Sequence, residues 1–355
     1  MNILYVGAES ANWIVMLCNE ICKLGHTVTC IVQTHDEYDK QNPVKPHQNL
    51  RIFDIPFNTF LNIERLHRII SKHLENGKYD IVFGSHAPIS PAVVKASKDF
   101  DIPSGIMLLD IPTDLMNEDP WRMNLWKTAF PWIKNADLII TNTEVCAGEV
   151  YNFLNRTLDK EDVITYGIHQ HPLFKKTGIN TEKPYVVSVC RLSPIKNCIL
   201  IPKALKEANL ELKYVAVGKD YGQLSEITKY CEENEIEFEY LGSVSEYKKF
   251  EIIQNASMLI YPQKTPYIGG LSPFEAMYVG TPSIVPNLQI FKDLYEDNSY
   301  FFNNNDEKSL AKTITSVYNN KDAIFLEKAH LYALEESSFS TMAKKLIERM
   351  KTVIR

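Results

Sequence analysis

The sequence predicts an α/β protein made of two doubly wound domains in tandem. Three observations carry that expectation: short apolar runs alternate with amphipathic stretches, the alternation occurs twice, and 355 residues are enough for two separate cores. Hydrophobic residues at 45% and charged residues at 23% are the proportions of a compact chain rather than a disordered one. Acidic residues outnumber basic ones 44 to 38, and a formal charge of −6 supplies no general attraction to nucleic acid. No apolar run reaches the roughly 20 residues of a spanning helix, and no basic leader opens the chain, so a cytoplasmic protein is expected. The seven cysteines are scattered without a C-x-x-C pair and read as reduced, mostly buried thiols rather than zinc ligands.

In the first half, strand-like runs at Ile3–Val6, Val28–Val32, Ile81–Phe83, Gly105–Leu109, Leu138–Thr141 and Val163–Thr165 alternate with helical stretches at Ile14–Lys23, Ile63–Leu74, Pro91–Asp99 and Glu144–Leu154. The second half repeats the pattern, with strands at Tyr185–Val189, Tyr214–Val217, Phe238–Leu241, Met258–Tyr261, Ser283–Val285 and Tyr300–Phe302 and helices near 198–208, 222–234, 246–255 and 272–279. Residues 1–168 therefore read as one Rossmann-like domain, 169–184 as a linker, and 185–338 as a second Rossmann-like domain. In 339–355, Phe339, Met342, Leu346, Met350 and Val353 form the apolar stripe of a terminal helix, expected to pack back on the first domain. Proteins of this architecture bind ligands at the carboxyl ends of their strands, so chemistry is expected in the strand-to-helix loops.

One loop stands out. After the strand ending at Tyr261, the chain runs through Tyr267, Gly269, Gly270, Leu271, Ser272, Pro273 and Glu275 into a helix. Two glycines let backbone approach a ligand, Pro273 suits a first helical turn, and an anion would sit well on that N-terminus. Glu275 reads either as a helix-capping carboxylate or as an acceptor for two sugar hydroxyls.

The run Gly-Gly-Leu-Ser-Pro-Phe-Glu-Ala-Met-x-x-Gly-Thr-Pro from Gly269 resembles the signature of the retaining glycosyltransferases of family 4, which have the GT-B fold of two facing Rossmann-like domains. Similar stretches stand in the family's order: Leu24-Gly-His26-Thr-Val28, Ala136-Asp137-Leu-Ile-Ile, Cys190-Arg191-Leu-Ser-Pro-Ile-Lys196-Asn197, Val217-Gly218 and Leu241-Gly242-Ser-Val244. The resemblance covers nearly the whole chain and implies a nucleoside diphosphate sugar as donor substrate. It implies that Arg191 and Lys196 hold the diphosphate, that Gly270 to Ser272 present amides to phosphate, that Glu275 takes the ribose hydroxyls, and that Val244 meets the base through its backbone. Two cations on a leaving diphosphate make chemical sense, because its charge grows in the transition state.

Two positions depart from the family. Tyr267 stands where a glutamate usually contacts the donor sugar, and Asp110 stands where a histidine usually lies near the transferred sugar. A carboxylate at Asp110 would stabilise a cationic anomeric carbon or orient a sugar hydroxyl. The first loop, from Gly7 to Asn12, is shorter than the family's glycine-rich loop and lacks its Gly-Gly pair; the resemblance implies a backbone contact with diphosphate through Gly7 and Ala8. Ser10, His86 and Asp114 lie in first-domain loops and are expected on the acceptor side, His86 as acceptor contact or proton shuttle.

Asp99-Phe-Asp101 follows a helix and precedes a strand, away from the expected site, so no obligatory metal is expected. Residues 120–132 hold three of the four tryptophans and read as a helix docked in the core or as a peripheral contact with a membrane or lipid-linked acceptor. The alternatives to a transferase are a nucleotide-sugar epimerase or hydrolase on the same fold, or a non-catalytic sugar-nucleotide or glycan-binding partner of an active transferase.

Overall fold

The computed structural model describes residues 1–7, 11–33, 44–109, 120–170, 183–266, 269–320 and 322–354. It divides into two units: Met1–Gly167 with Phe339–Arg355, and Ile168–Ser338.

Unit 1 is built on β1 (Asn2–Gly7), β2 (Thr27–Val32), β3 (Leu50–Asp54), β4 (Ile81–Ser85), β5 (Ser104–Met107) and β6 (Leu138–Ile140). All pairings are parallel, in the order β3-β2-β1-β4-β5-β6. β4 is buried along its whole length and β1 from its second residue on, because helices cover both faces of the sheet. That is why they read as unbroken apolar runs. The expected strand at Val163–Thr165 is instead an isolated bridge between Thr141 and Val163. The sheet's remaining edge is β3, whose largely exposed Arg51, Phe53 and Asp54 gave no apolar run to read.

On one face, Ile3 and Tyr5 pack under Ile14, Leu17, Cys18 and Ile21 of the helix Ala11–Lys23 and under Phe339, Met342, Leu346 and Met350 of the helix Phe339–Val353. The apolar stripe of the last helix thus completes the core of the first unit. Arg349 fixes it there by bonding Asp162 at 2.7 Å and Asp159 at 3.0 Å.

Unit 2 repeats the winding with β7 (Tyr185–Val189), β8 (Lys213–Val217), β9 (Phe238–Gly242), β10 (Met258–Ile260), β11 (Ser283–Pro286) and β12 (Tyr300–Phe302), all parallel in the order β12-β11-β10-β7-β8-β9. Val186, Tyr214, Met258 and Ile284 pack against the helices Leu200–Ala208 and Glu307–Asn319. Glu237, just before the edge strand β9, and Glu239 on it reach Lys183 and Lys213 respectively, at 2.5 Å each. Such exposed pairs add little stability but keep an open edge from pairing with another strand. In each sheet the winding reverses beside the first strand, between β1 and β4 and between β7 and β10. The carboxyl ends at those reversals are where this architecture binds ligands.

Candidate functional site

In unit 2, the loop after β7 carries Arg191 and Lys196. It is laced by Ser193 N–H to Arg191 C=O and Lys196 N–H to Ser193 C=O, both 2.9 Å, and turned at Asn197 with φ 55°. Lys264 N–H donates to Ile195 C=O at 3.2 Å, tying this loop to the segment after β10. Arg191 is exposed, its guanidinium 5.6 Å from the Tyr221 ring. Lys196 turns inward: its ammonium donates to the Tyr261 hydroxyl and to Gln263 Oε1 and lies 4.8 Å from the Tyr261 ring. Burial pushes its pKa down to about 8, with the charge of Arg191 adding to the shift. At neutral pH this is a poorly solvated cation with room for an anion to improve its surroundings.

The segment after β10 corrects part of the sequence reading. The Gly270 amide, expected to face phosphate, donates to the Tyr295 hydroxyl at 3.1 Å, which returns a bond to Gly270 C=O at 2.6 Å. A Cβ on Gly270 would sit 2.5 Å from the Tyr261 ring, and one on Gly269 would strike Leu294. The two glycines therefore serve close packing against Tyr261 and Leu294. The anion-binding character passes to Leu271 and Ser272, where the helix Ser272–Val279 begins with its unsatisfied first turn. The Ser272 hydroxyl is buried with no hydrogen-bond partner, and so is that of Thr265. Orphaned buried hydroxyls cost about 1–3 kcal/mol each and are positions where a ligand group or an ordered water gains a hydrogen bond.

Glu275 faces inward from the same helix, 5% exposed. Its Oε1 accepts from Lys249 Nζ at 2.7 Å, and Lys249 reaches Glu246 Oε1 at 2.5 Å. Burial, with the charge of Glu246 added, pushes the Glu275 carboxyl up against the pull of Lys249. Lys249 in turn is held above its ordinary range because its two carboxylates outweigh its burial. Two carboxylates share one ammonium, which leaves acceptor capacity for hydroxyl donors. Lys249 was not read from the sequence. Its three-residue spacing from Glu246 at a helix start was visible, but its reach to Glu275, 26 residues on, is tertiary.

Val244 sits half-buried in the turn after β9, and Ser245 caps the next helix by accepting from Lys248 N–H at 3.3 Å. Gly218, φ +130°, closes the neighbouring β8 turn where a Cβ would collide with the Cys190 carbonyl. Its N–H donates to Gly242 C=O at 2.8 Å, so the ends of β7, β8 and β9 are bound into one rim.

In unit 1, Gly7 ends β1 opposite Ser85 of β4, and the missing Cβ admits Ile14. His86 follows with φ 86° and ψ 140°, a backbone state that suits glycine, held by its N–H to Met107 C=O at 2.9 Å. Such strain costs on the order of 1–3 kcal/mol and collects at functional sites. Asn142, just past β6 and 2% exposed, has neither amide atom hydrogen-bonded. The sequence offered no signal for Asn142 beyond a polar run following an apolar strand.

Ser10, Asp110, Asp114 and Tyr267 lie outside the described residues. Asp99 pairs with His67 at 2.7 Å. Among the described residues no group of three or more His, Cys, Asp or Glu side chains is placed to hold a metal ion. In the helix Pro120–Ile133, Trp126 is buried and packs on Phe130, which stacks on Phe153.

The family described as Glycosyltransferase Family 4 matches residues 10–169, and Glycosyl transferases group 1 matches residues 170–333. No curated protein matches the chain. Among solved structures, a glycosyltransferase from Rickettsia africae aligns over 100% of this chain and 98% of its own, with TM-score 0.77 and 14% identity. Anabaena HepE in complex with UDP aligns over 99% of this chain and 100% of its own, with TM-score 0.78 and 16% identity. Sucrose-phosphate synthase from Thermosynechococcus elongatus gives TM-score 0.77 at 14% identity, over 99% of this chain and 98% of its own. At these identities the structures establish the GT-B fold, and the two family matches run together from residue 10 to residue 333. The chain belongs to the glycosyltransferases of the group 1 and family 4 type.

Proposed function

We propose that this glycosyltransferase moves a sugar from a nucleoside diphosphate sugar, with UDP as the nucleotide, to a hydroxyl acceptor with retention of anomeric configuration. The observation that carries the reading is the pair Arg191 and Lys196 on one short loop at the sheet reversal of unit 2. The orphaned Ser272 hydroxyl and the Glu246–Lys249–Glu275 cluster belong to the same unit. The UDP bound to HepE adds support for the choice of nucleotide.

In this reading Arg191 and Lys196 hold the diphosphate, Leu271 and Ser272 present the start of their helix to phosphate, Glu275 accepts from the ribose hydroxyls, and Val244 meets the base. As the bond from the anomeric carbon to phosphate lengthens, negative charge grows on the β-phosphate. The two cations, fixed before reaction, favour that state over the ground state. The β-phosphate oxygen takes the acceptor proton on the same face, which retains configuration. Unit 1 binds the acceptor, with His86 as acceptor contact or proton shuttle and Ser10 and Asp114 assigned to the acceptor; Asp110 acts on the cationic anomeric carbon, and Tyr267 contacts the donor sugar. The two cations supply the neutralising charge, so the reaction needs no metal. The acceptor includes lipid-linked glycans; contact of 120–132 with a membrane must come from residues other than Trp126, which is spent on the core.

Thermal stability against UDP, GDP, ADP and their sugar conjugates, with and without EDTA, tests the donor site. A ligand at 100 times its dissociation constant adds about 2.7 kcal/mol, or roughly several degrees. A UDP-selective shift that survives EDTA is expected, and no shift with any nucleotide overturns the reading. An inverted anomeric signal in the NMR spectrum of the product would refute retention.

A further inference from the structure

Cys190 and Cys198 bracket the two cations. Their sulfurs are 3.4 Å apart, and the eight-residue step between them contains both Arg191 and Lys196. Each backbone is anchored: Cys190 N–H donates to Val217 C=O at 3.0 Å, and Cys198 N–H to Gln223 Oε1 at 3.0 Å. A second close pair, Cys18 and Cys30, lies 4.0 Å apart in the core of unit 1. The two pairs differ in surroundings. Cys18 and Cys30 are wholly buried among apolar side chains, and burial pushes the Cys18 thiol well up, away from the reactive thiolate. Cys190 is half-buried, the one cysteine of the seven that is not buried. The thiol of Cys198 and the charges of Lys196 and Arg191 hold it below its ordinary range, while Cys198 itself is pushed up. A partly accessible thiol 3.4 Å from a second thiol, with two cations beside it that favour its ionised form, is the arrangement of an oxidation-sensing pair.

We propose that Cys190 and Cys198 form a reversible disulfide that clamps the Arg191–Lys196 loop and weakens its hold on a nucleoside diphosphate. The proposal rests on reading that loop as the diphosphate holder. The oxidant is a peroxide. The Cys190 thiolate attacks the O–O bond, taking one oxygen as the sulfenic acid, and the other oxygen leaves as hydroxide, which is protonated to water. The Cys198 sulfur then displaces the sulfenic hydroxyl, which leaves with the Cys198 proton as a second water. Two thiols and one hydrogen peroxide become one disulfide and two waters, and a dithiol reverses the step by becoming oxidised itself. Closing the bond draws the sulfurs about 1.4 Å nearer than their present 3.4 Å, since an S–S bond is about 2.05 Å long. That contraction falls on the turn that seats Lys196 against Tyr261 and Gln263. A bound diphosphate neutralises the cations beside Cys190 and slows the oxidation.

The test treats the reduced full-length protein with graded hydrogen peroxide, alkylates the remaining thiols, and maps the peptides by mass spectrometry. Backbone hydrogen exchange over 191–197 and calorimetric UDP binding are measured before and after. The expected result is a 190–198 crosslink ahead of any between Cys18 and Cys30. Altered exchange over 191–197 and UDP affinity about tenfold weaker or more go with it, the loss expected when a charge-assisted contact is broken, and dithiothreitol reverses both. Cys198→Ser is expected to give no crosslink and instead a sulfenic acid at Cys190 that dimedone traps. Absence of the 190–198 crosslink, earlier oxidation of Cys18 and Cys30, or a crosslink that leaves exchange over 191–197 unchanged overturns the proposal. A reduced protein that binds no UDP counts against the donor-site reading alone, because crosslink and exchange still decide the switch.

Discussion

The loops after β7 and β10 in unit 2 and the loop after β4 in unit 1 follow strands at the reversal point of two sheets of the same winding, and the described residues there differ in character. In unit 2 the polar groups hold one another: Lys196 on Tyr261 and Gln263, Glu275 on Lys249, Gly270 on Tyr295. In unit 1, His86 after β4 is held in a glycine-like backbone state and Asn142 after β6 is buried with neither amide atom hydrogen-bonded, while the unpaired groups described in the segment after β10 of unit 2 are the small hydroxyls of Thr265 and Ser272. On the proposed reading, a diphosphate would make the same demand whatever sugar it carries, and a fixed set of charges suits that demand. An acceptor site is shaped by strand ends and by loops that vary, and stored strain is one way to fix a side chain there.

Four substitutions and a titration bear on this contrast. Lys249→Ala leaves the carboxylates of Glu246 and Glu275 facing each other without their ammonium. Unfolding in urea is expected to show a loss of about 3–5 kcal/mol, as for other broken buried ion pairs; a loss under 1 kcal/mol would make the cluster incidental. Arg191→Ala is expected to lower kcat by roughly 10²–10³ with little change in melting temperature, because it removes charge stabilisation that grows in the transition state. An equally active purified variant would remove Arg191 from the site.

His86→Gly separates strain from function in unit 1. It relieves on the order of 1–3 kcal/mol of backbone strain, offset by the roughly 0.5–1 kcal/mol entropy cost of glycine, so stability holds or rises. Turnover is expected to fall; unchanged turnover would leave the strain without a functional reason.

The titration follows from Lys196, whose pKa is pushed down to about 8. Below pH 8 the ammonium is already present and UDP affinity is flat. Above it, binding must first take up a proton, so the dissociation constant rises about tenfold per pH unit. Asn142→Leu removes a buried amide that nothing satisfies. It is expected to leave stability within about 1 kcal/mol or to raise it, while the KM for acceptor rises. A large loss of stability would show that the amide has a structural partner.

How much of this was legible in the sequence follows the same contrast. Both sheets were readable, because parallel strands buried on both faces are continuous apolar runs. The exposed edge β3 was missed for want of such a run. The helices Gln289–Tyr295, Glu307–Asn319 and Ala323–Glu336 went unread as well. Arg191, Lys196 and Glu275 could be singled out because each lies in a short contiguous motif that resembles the family's. Lys249, Gln263 and Tyr295 were not, since what places them is contact across 26, 67 and 25 residues of chain. The Gly269–Gly270 pair was legible as close approach, but sequence cannot say whether the approaching body is a ligand or, as here, the rings and methyls of Tyr261 and Leu294.

The most direct test of the donor site is calorimetric titration of the EDTA-treated protein with UDP near pH 8.5 in buffers of different ionisation enthalpy, which counts the protons taken up on binding. The wild type is expected to take up a sizeable fraction of a proton as Lys196 becomes fully charged against the diphosphate. Lys196→Ala is expected to show no such uptake and to bind much more weakly. UDP binding with no proton uptake in the wild type, or unchanged binding in the variant, would contradict the donor-site reading.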